Sequence, residues 1–422
     1  MNILVVSKTE WDDRNAFGNT ISNFFSNWKD CNFFHIFTRT PSPSNNVCNE
    51  YYRVSFFNII KNILTPWRIG QKFSLDTCKN SSGSVSERKI ISYGKKGRKL
   101  WMHIVYDLIY SSCIWKNSRY KRTIQSFIPD IVFFVLTSDA FIYQNIIYLK
   151  THTNAKFVCM IQDDVYGVYS SVNGYYGKVL KNRLRKCLTL CDKVYGASQM
   201  LCDEYEKQFS VSIMPLYKGC ELLEPRTSIN NPIIITYAGN LGYERYKTLA
   251  SLVQAIQNIN CYKTNILLKI YTGSEITEEI SALLNIPGSS EICGRAPYDV
   301  IKRIQHESDI VLHVESFSAK QIELVKYSLS TKIIDCLQSG AAMMVIGPAG
   351  IPPIEYPRQI PGTIVVDHID ALEDVLNGII SNKIDLINRA KQIHRYAMTH
   401  HNIEIVRENI RNDFANLFCG DC

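Results

Sequence analysis

Long apolar runs are missing from this sequence. The most apolar windows, Ile128–Leu136 and Ile310–Val314, fall well short of the roughly 20 apolar residues that a membrane-spanning helix needs. The first residues, Met1–Lys8, also lack the basic segment, long apolar core and cleavage site of a signal peptide, and instead resemble a buried strand. We therefore expect a cytoplasmic chain without a transmembrane helix.

Paired cysteine motifs are almost absent. The 14 cysteines are scattered, and the one CxxC pair, Cys419 and Cys422, has no second Cys or His pair nearby. We interpret the cysteines as mostly reduced core residues. We expect neither a metal site nor a resident cofactor.

Glycine is scarce where a dinucleotide-binding loop would require it. Residues 7–20 contain a single glycine, Gly18, whereas a nucleotide-dependent oxidoreductase carries G-x-G-x-x-G after its first strand. The sequence therefore disfavours an oxidoreductase.

Short apolar runs alternate with helix-length segments along the whole chain, which predicts an α/β fold with parallel sheets covered on both faces. We expect two Rossmann-like, doubly wound domains at residues 1–218 and 233–395. Residues 219–232 form a polar, proline-containing linker, and residues 396–422 form a helical tail that packs back on the first domain. The predicted strands are Ile3–Ser7, Phe33–Thr38, Ile131–Val135, Phe157–Ile161, Lys193–Ala197, Ser212–Leu216, Ile233–Ala238, Leu267–Thr272, Glu291–Cys293, Ile310–Val314, Ala342–Ile346 and Gly362–Val366.

Positive charge is concentrated in the first half. Residues 1–218 carry 29 Lys and Arg against 16 Asp and Glu, whereas the remainder carries 18 against 23. Residues 88–122 hold ten of these cations and one acid, Asp107, interleaved with apolar residues. This segment is either a solvated helix with a core face or a site of peripheral contact with an anionic membrane, at the inner face of the plasma membrane. No nucleic-acid partner is expected, because no recognition helix or RNA-binding signature accompanies the charge.

A phosphate-binding loop is predicted where the second domain begins. The segment after the strand Ile233–Ala238 supplies Gly239 and Asn240, and then the cations Arg245 and Lys247 near a helix start. Free amides and nearby cations are the groups that a diphosphate requires.

A second candidate segment runs from Ser330 to Asp335. Ser330 would cap a helix and present the amides of Thr331 and Lys332 to an anion, and Asp335 would accept hydrogen bonds from a ribose diol. An ordinary capped helix that ends at Gly340 explains the same residues equally well.

On the first domain, Gln162, Asp163 and Asp164 follow the strand Phe157–Ile161. Asp163 or Asp164 would orient an acceptor or act as a base. A helix cap or surface turn is an equal alternative.

The order of these motifs resembles that of the bacterial GT-B glycosyltransferases in and around family 4. That group has a Gly-Asn-Leu loop with a downstream Arg or Lys, here Gly239–Leu241, Arg245 and Lys247. It also has an S/P-x-K-x-x-E helix, here Ser330–Asp335, and a nucleobase loop, here Ile292–Arg295. The resemblance covers most of the chain.

The resemblance implies a GT-B fold and a metal-independent, retaining transfer of a sugar. The donor would be a UDP- or GDP-sugar, and the acceptor a glycan or lipid-linked saccharide in surface polysaccharide biosynthesis. The expected catalytic residues are Arg245, Lys247 and Asp163. The expected donor-binding residues are Gly18, Gly239, Asn240, Gly294, Arg295, Ser330, Thr331, Lys332 and Asp335.

One position departs from the family pattern. Tyr327 stands where the first of two acids is expected, eight residues before Asp335, and the nearest earlier acids are Glu323 and Glu315. Two other functions therefore stay open: a sugar-nucleotide epimerase of the same fold, and a non-catalytic binding subunit.

Overall fold

The computed structural model describes residues 1–39, 41–75, 100–137, 139–170 and 175–419. The chain forms two compact units, one made of Met1–Leu216 with Asn409–Cys422, the other of Tyr217–Glu408. Each unit is built around one β-sheet. Part of the basic segment predicted at residues 88–122, residues 88–99, lies outside the described residues.

The first unit contains an eight-stranded sheet in the order β4-β3-β2-β1-β5-β6-β7-β8. All neighbouring strands are parallel except β3 and β4, which pair antiparallel. The strands are β1 (Asn2–Val6), β2 (Asn32–Phe37), β3 (Glu50–Arg53), β4 (Gln71–Ser74), β5 (Ile131–Val135), β6 (Lys156–Ile161), β7 (Lys193–Gly196) and β8 (Met214–Pro215).

The sequence pattern explains why most of these strands form. The central strands β1 and β5 are runs of apolar residues that are buried almost throughout, as expected for a parallel sheet covered on both faces. All six predicted strands of this unit are present. Strands β3 and β4 were not predicted, because each has only four residues and neither contains an apolar run.

Helices connect the strands of the first unit. A helix near the end of the chain, α17 (Ile403–Asn416), also contributes to this unit, because the buried ring of Phe414 packs against Phe25 and Trp28 with ring centroids 6.1 and 5.6 Å apart. The helices of this unit are α1 (Ala16–Phe25), α2 (Phe56–Lys61), α3 (Leu100–Ser111), α4 (Ser118–Phe127), α5 (Ala140–His152), α6 (Val165–Ser170), α7 (Tyr175–Thr189) and α8 (Gln199–Phe209), with a 3-10 turn at Pro66–Arg68.

The second unit contains a six-stranded, wholly parallel sheet in the order β11-β10-β9-β12-β13-β14. Its strands include all six that the sequence predicted for this half. They are β9 (Ile233–Ala238), β10 (Ile266–Tyr271), β11 (Ser290–Gly294), β12 (Ile310–Val314), β13 (Ala342–Ile346) and β14 (Ile364–Val366).

Helices cover the second sheet, and its core lies between them and strands β9, β10, β12 and β13. None of the helices in the described part of the chain is long and apolar enough to span a membrane. The helices that begin in this unit are α9 (Arg245–Ile259), α10 (Glu278–Leu284), α11 (Tyr298–Glu307), α12 (Ala319–Val325), α13 (Lys332–Gln338), α14 (Pro352–Arg358), α15 (Leu372–Ser381), α16 (Asp385–His400) and α17 (Ile403–Asn416), with a 3-10 turn at Ile369–Ala371.

In each sheet, successive strands along the chain are added first on one side of the first strand and then on its other side. The reversal falls between β1 and β5 in the first sheet and between β9 and β12 in the second. Loops that follow neighbouring strands diverge at such a point and leave a crevice at the carboxyl ends, where ligands of open α/β sheets bind. These two edges are therefore the places to look for a site.

Candidate active site

The loop after β9 turns sharply into helix α9. Tyr243 and Glu244 both have φ of +58°, a left-handed conformation that costs about 1 kcal/mol for each residue. Helix α9 begins directly afterwards at Arg245, whose side chain is buried. Strained backbone of this kind persists where the surrounding structure holds it, often at functional sites.

Arg245 is held by residues from two different loops. Its Nε and Nη2 atoms donate to the two carboxylate oxygens of Glu315, each at 3.0 Å, and its Nη1 donates to Asn240 Oδ1 at 2.9 Å. A guanidinium has five N–H donors, so two remain without a hydrogen-bond partner among the described residues. Arg245 thus has a fixed orientation and two donors left for a ligand.

Glu315 is the centre of a buried charged group directly after β12. It also accepts a hydrogen bond from His313 at 3.0 Å, and its backbone carbonyl accepts one from the Thr248 hydroxyl. Burial acts to raise the pKa of Glu315, but the hydrogen bonds and charges of His313 and Arg245 outweigh it and hold the pKa below its usual range. Glu315 is therefore ionised at neutral pH and fixes Arg245 in place.

Lys332 reaches the same loop from helix α13. A Cβ atom added to Gly239 would lie 2.5 Å from Lys332 Nζ, so the absence of a side chain at this glycine leaves room for the ammonium group. Burial, together with the positive charge of Arg245, lowers the pKa of Lys332 to about 8, although Asp335 partly opposes the shift. Lys332 therefore lies near a second cation, Arg245, and its own charge is only partly balanced by Asp335.

Asp335 lies one turn further along α13. Burial raises its pKa, and the positive charges of Lys218 and Lys332 act against that shift. The Tyr298 hydroxyl is 3.5 Å from Asp335 Oδ1. Asp335 thus lies beside the cations. This position suits a group that accepts hydrogen bonds from the hydroxyl groups of a ligand.

Five predicted residues are therefore brought together at the reversal of the second sheet. The predicted cation Lys247 is not among them, because it is exposed and its Nζ pairs with Glu244 at 2.9 Å. The five residues that meet are Gly239, Asn240, Arg245, Lys332 and Asp335.

Ser330 does not cap helix α13 as predicted. The flanking residue of this helix is Thr331, which has helical backbone angles and makes no side-chain capping hydrogen bond. Instead, the carbonyl of Ser330 accepts the amide of Ile333 at 3.1 Å in a tight turn. The expected end of the helix is correct, since Gly340 follows it with φ of +73°.

Gly294 and Arg295 lie at the carboxyl end of the edge strand β11, two strands away from β9. Gly294 has φ of +75°, a conformation that favours glycine. Arg295 is exposed, and its side chain lies over Gly273 at the end of the neighbouring strand β10. Both residues are on the correct edge of the sheet but outside the cluster around Arg245.

The first unit has a cavity of about 360 Å³ at the carboxyl ends of β1, β5 and β6, beside the start of α1. Asp163 lines this cavity together with the cations Lys8 and Arg39. Lys8 is paired with Asp139 at 2.9 Å. Asp163 is thus exposed after the carboxyl end of β6, the strand next to β5 at the reversal of the first sheet.

Gly18 has a packing role that is visible in the structure. A Cβ atom at this position would lie 2.2 Å from the carbonyl oxygen of Asp12, so the close approach of α1 to that loop requires glycine. Gly18 is not among the residues that line the cavity of the first unit.

Sequence reasoning missed two members of the cluster. The sequence marks Glu315 only as one of the acids that precede Asp335, and His313 carries no sequence signal for a site. An acid directly after β12, the strand next to β9 across the reversal, was the available signal. This signal can be recognised only when the order of the strands in the sheet is known, and the sequence alone does not show that order.

These features define a class of fold. It has two α/β units with largely parallel sheets and a cationic site at the reversal of the second sheet. The structure is similar to that of HepE from Anabaena in complex with UDP (TM-score 0.62, 10% identity, 99% of this chain and 100% of that chain). It is also similar to sucrose-phosphate synthase from Thermosynechococcus elongatus (TM-score 0.60, 10% identity, all of both chains). A third similar structure is the α,α-trehalose-phosphate synthase of Burkholderia xenovorans in complex with glucose-6-phosphate (TM-score 0.58, 7% identity, 98% of this chain and 100% of that chain).

No protein-family model and no curated protein sequence matches the chain. At identities this low, the structural similarity shows the fold. The fold is that of the GT-B glycosyltransferases, with two Rossmann-like α/β units, and the predicted fold class is confirmed. The narrower resemblance to family 4 stays a prediction.

Proposed function

We propose that this protein is a glycosyltransferase that takes its sugar from a nucleotide-sugar donor. The observation that carries the proposal is the cluster at the reversal of the second sheet, where Arg245 keeps two free donors and Lys332 lies beside Gly239. A diphosphate would supply the negative charge that Lys332 lacks and would accept the free donors of Arg245.

The same groups suit the chemistry of transfer. As the glycosidic bond to the diphosphate breaks, negative charge grows on the leaving phosphate. Cations fixed beforehand by buried partners stabilise that charge without having to reorganise. Asp335 is the proposed acceptor of ribose hydroxyl hydrogen bonds. The reaction is proposed to be metal-independent and retaining, as the resemblance to family 4 implies.

Uridine diphosphate is the first nucleotide to test, because the similar HepE structures contain UDP or UDP-glucose. GDP-sugars remain the second choice. The acceptor is proposed to be a glycan or lipid-linked saccharide of surface polysaccharide biosynthesis. Asp163 is proposed to orient it from the cavity of the first unit, in a cytoplasmic, membrane-peripheral enzyme.

The remaining predicted contacts are part of the proposal. Lys247 stays a predicted phosphate ligand that the structure places on the surface, so its contribution is expected to be small. The other proposed donor contacts are Gly18, Asn240, Gly294, Arg295, Ser330 and Thr331.

The test is a panel of UDP- and GDP-sugars, first in thermal-shift measurements and then in turnover assays with and without saccharide acceptors. A donor at 100 times its dissociation constant should stabilise the protein by about 2.7 kcal/mol. Arg245→Ala should abolish the shift, whereas Arg303→Ala, a change at an exposed arginine of the same unit, should preserve it. Stabilisation by no donor would refute the proposed donor site.

The turnover assay separates the alternatives. A glycosyltransferase releases nucleoside diphosphate faster when its acceptor is present. An epimerase changes the sugar of the donor without any acceptor, and a non-catalytic subunit binds the donor but turns nothing over.

A further inference from the structure

Seven large apolar side chains are exposed on two segments of the first unit. On the segment that follows α2, Leu64 is 89% exposed and Trp67 is 63% exposed, and on helix α3, Leu108 is 64% exposed. Single exposed apolar residues are ordinary, but a group of this size marks an interaction surface. We call these residues the apolar surface: Ile60, Ile63, Leu64, Trp67, Ile104, Val105 and Leu108.

The two segments are joined into one structure. The rings of Phe56 in α2 and Tyr106 in α3 stack with centroids 5.4 Å apart. Asn117, which caps helix α4, donates from Nδ2 to the carbonyls of Pro66 and Ile69 at 2.8 and 2.7 Å. These contacts fix the chain around Leu64 against the α3–α4 region, so its apolar residues are presented by an ordered backbone.

The two segments that carry the apolar surface are rich in positive charge, and Glu50, the acid directly before the first of them, pairs with Lys72 at 3.3 Å. Residues 51–75 and 100–122 together contain eight Lys and Arg but one acid, Asp107. That acid is buried and already paired with Arg183 at 2.7 Å. Lys61 and Arg68, which lie within the apolar segment, are both exposed. The surface therefore offers apolar side chains and positive charge, with no free carboxylate from these two segments.

We propose that the apolar surface inserts into a bilayer that contains anionic phospholipid. Apolar side chains enter the boundary between headgroups and acyl chains, and flanking Lys and Arg are attracted by anionic headgroups. The anchor lies largely at residues 60–67, outside the predicted basic segment 88–122. The proposal is independent of the donor site in the second unit.

The experiment is flotation of the full chain with phosphatidylcholine vesicles, with and without phosphatidylglycerol, at low and high salt. The protein should float with the anionic vesicles at low salt and stay behind with phosphatidylcholine alone. High salt should weaken the binding, because the electrostatic part is screened. The double variant Leu64→Asn/Trp67→Asn should bind at least about tenfold more weakly, since two large apolar side chains no longer enter the bilayer.

A matched control changes one leucine and one aromatic residue elsewhere. Leu283 and Tyr262 are exposed in the second unit, and Leu283→Asn/Tyr262→Asn should leave vesicle binding unchanged. Thermal unfolding of both double variants shows whether the fold is intact. Because Trp67 is exposed, anionic vesicles should also shift its fluorescence to shorter wavelength, a change that Trp67→Phe removes.

Several results would overturn the proposal. One is failure of the wild-type protein to float with anionic vesicles. Another is binding by the folded Leu64→Asn/Trp67→Asn variant that equals the binding of the wild type. A dimer in ultracentrifugation that this variant dissociates, without any vesicle binding, would assign the surface to a second copy of the chain. Donor binding measured in parallel reports separately on the proposed function.

Discussion

Replacement of Lys332 by methionine should stabilise the free protein. Lys332 is largely buried beside Arg245, and its pKa falls from the ordinary 10.5 to about 8. At about 1.36 kcal/mol for each pH unit, this fall means that the charged form costs about 3 kcal/mol on folding at neutral pH. Methionine has a similar shape without the charge, so Lys332→Met should raise the free energy of unfolding by about 3 kcal/mol.

The pH dependence of this difference follows from the direction of the shift. Between pH 8 and 10.5, the unfolded chain keeps the proton on Lys332 while the folded chain has lost it. The unfolded state thus binds more protons, and the stability of the wild-type protein rises with pH across this window. The advantage of Lys332→Met should be largest at pH 7 and should shrink towards zero by pH 10.5.

The assay is urea unfolding of the wild-type protein and Lys332→Met at a series of pH values. Lys247→Met serves as the control, because Lys247 is exposed and paired on the surface. Its stability difference should stay small and should not follow the same pH profile. A Lys332→Met variant that is less stable than wild type at pH 7 would refute the reasoning that this lysine is held at a cost for ligand binding.

Three further changes test the cluster and its supports. Glu315→Gln should lower the free energy of unfolding by about 3 kcal/mol in urea titrations, because it leaves Arg245 buried without its counter-charge, and a loss below about 0.5 kcal/mol would contradict this. In the wild-type protein, the stabilisation that ionised Glu315 provides is fully present above about pH 4.5, the ordinary pKa of a glutamate. It is lost as the pH falls further through the folded pKa of Glu315, which is lowered. Gly239→Ala should weaken nucleotide binding by about tenfold or more and also lower the melting temperature, because its methyl group would lie 2.5 Å from Lys332 Nζ and 2.6 Å from the hydroxyl of the buried Tyr237. Gly340→Ala should destabilise the protein by about 1–3 kcal/mol, because the residue has φ of +73° and a Cβ would lie 2.3 Å from a backbone carbonyl; an unchanged melting temperature would be inconsistent with that contact.

The architecture was largely predictable from the sequence, because its strands are dictated by local composition. Strands such as β5 and β13 are continuous apolar runs, and burial on both faces requires such runs. The four-residue strands β3 and β4 carry too few apolar residues to be recognised, and they pair only because tertiary structure places them at the sheet edge.

The candidate site was predictable only in part. The loop after β9 was identified from its glycine and arginine, since these residue types have direct physical uses near phosphate. The choice between Arg245 and Lys247 was not accessible, because it depends on the left-handed turn at Tyr243 and Glu244, which points the arginine inward. The role of Glu315 depended on the order of strands across the reversal, which no local pattern encodes.

The most direct test of the central claim is the equilibrium binding of UDP and GDP, measured by isothermal titration calorimetry for wild type, Arg245→Ala and Lys247→Ala. We expect wild type to bind at least one nucleotide. Arg245→Ala should bind it at least about 30-fold more weakly, because charge-assisted hydrogen bonds to phosphate are lost. Lys247→Ala should stay within about threefold of wild type. Binding of neither nucleotide by wild type, or a loss in Lys247→Ala as large as that in Arg245→Ala, would contradict the account of this site.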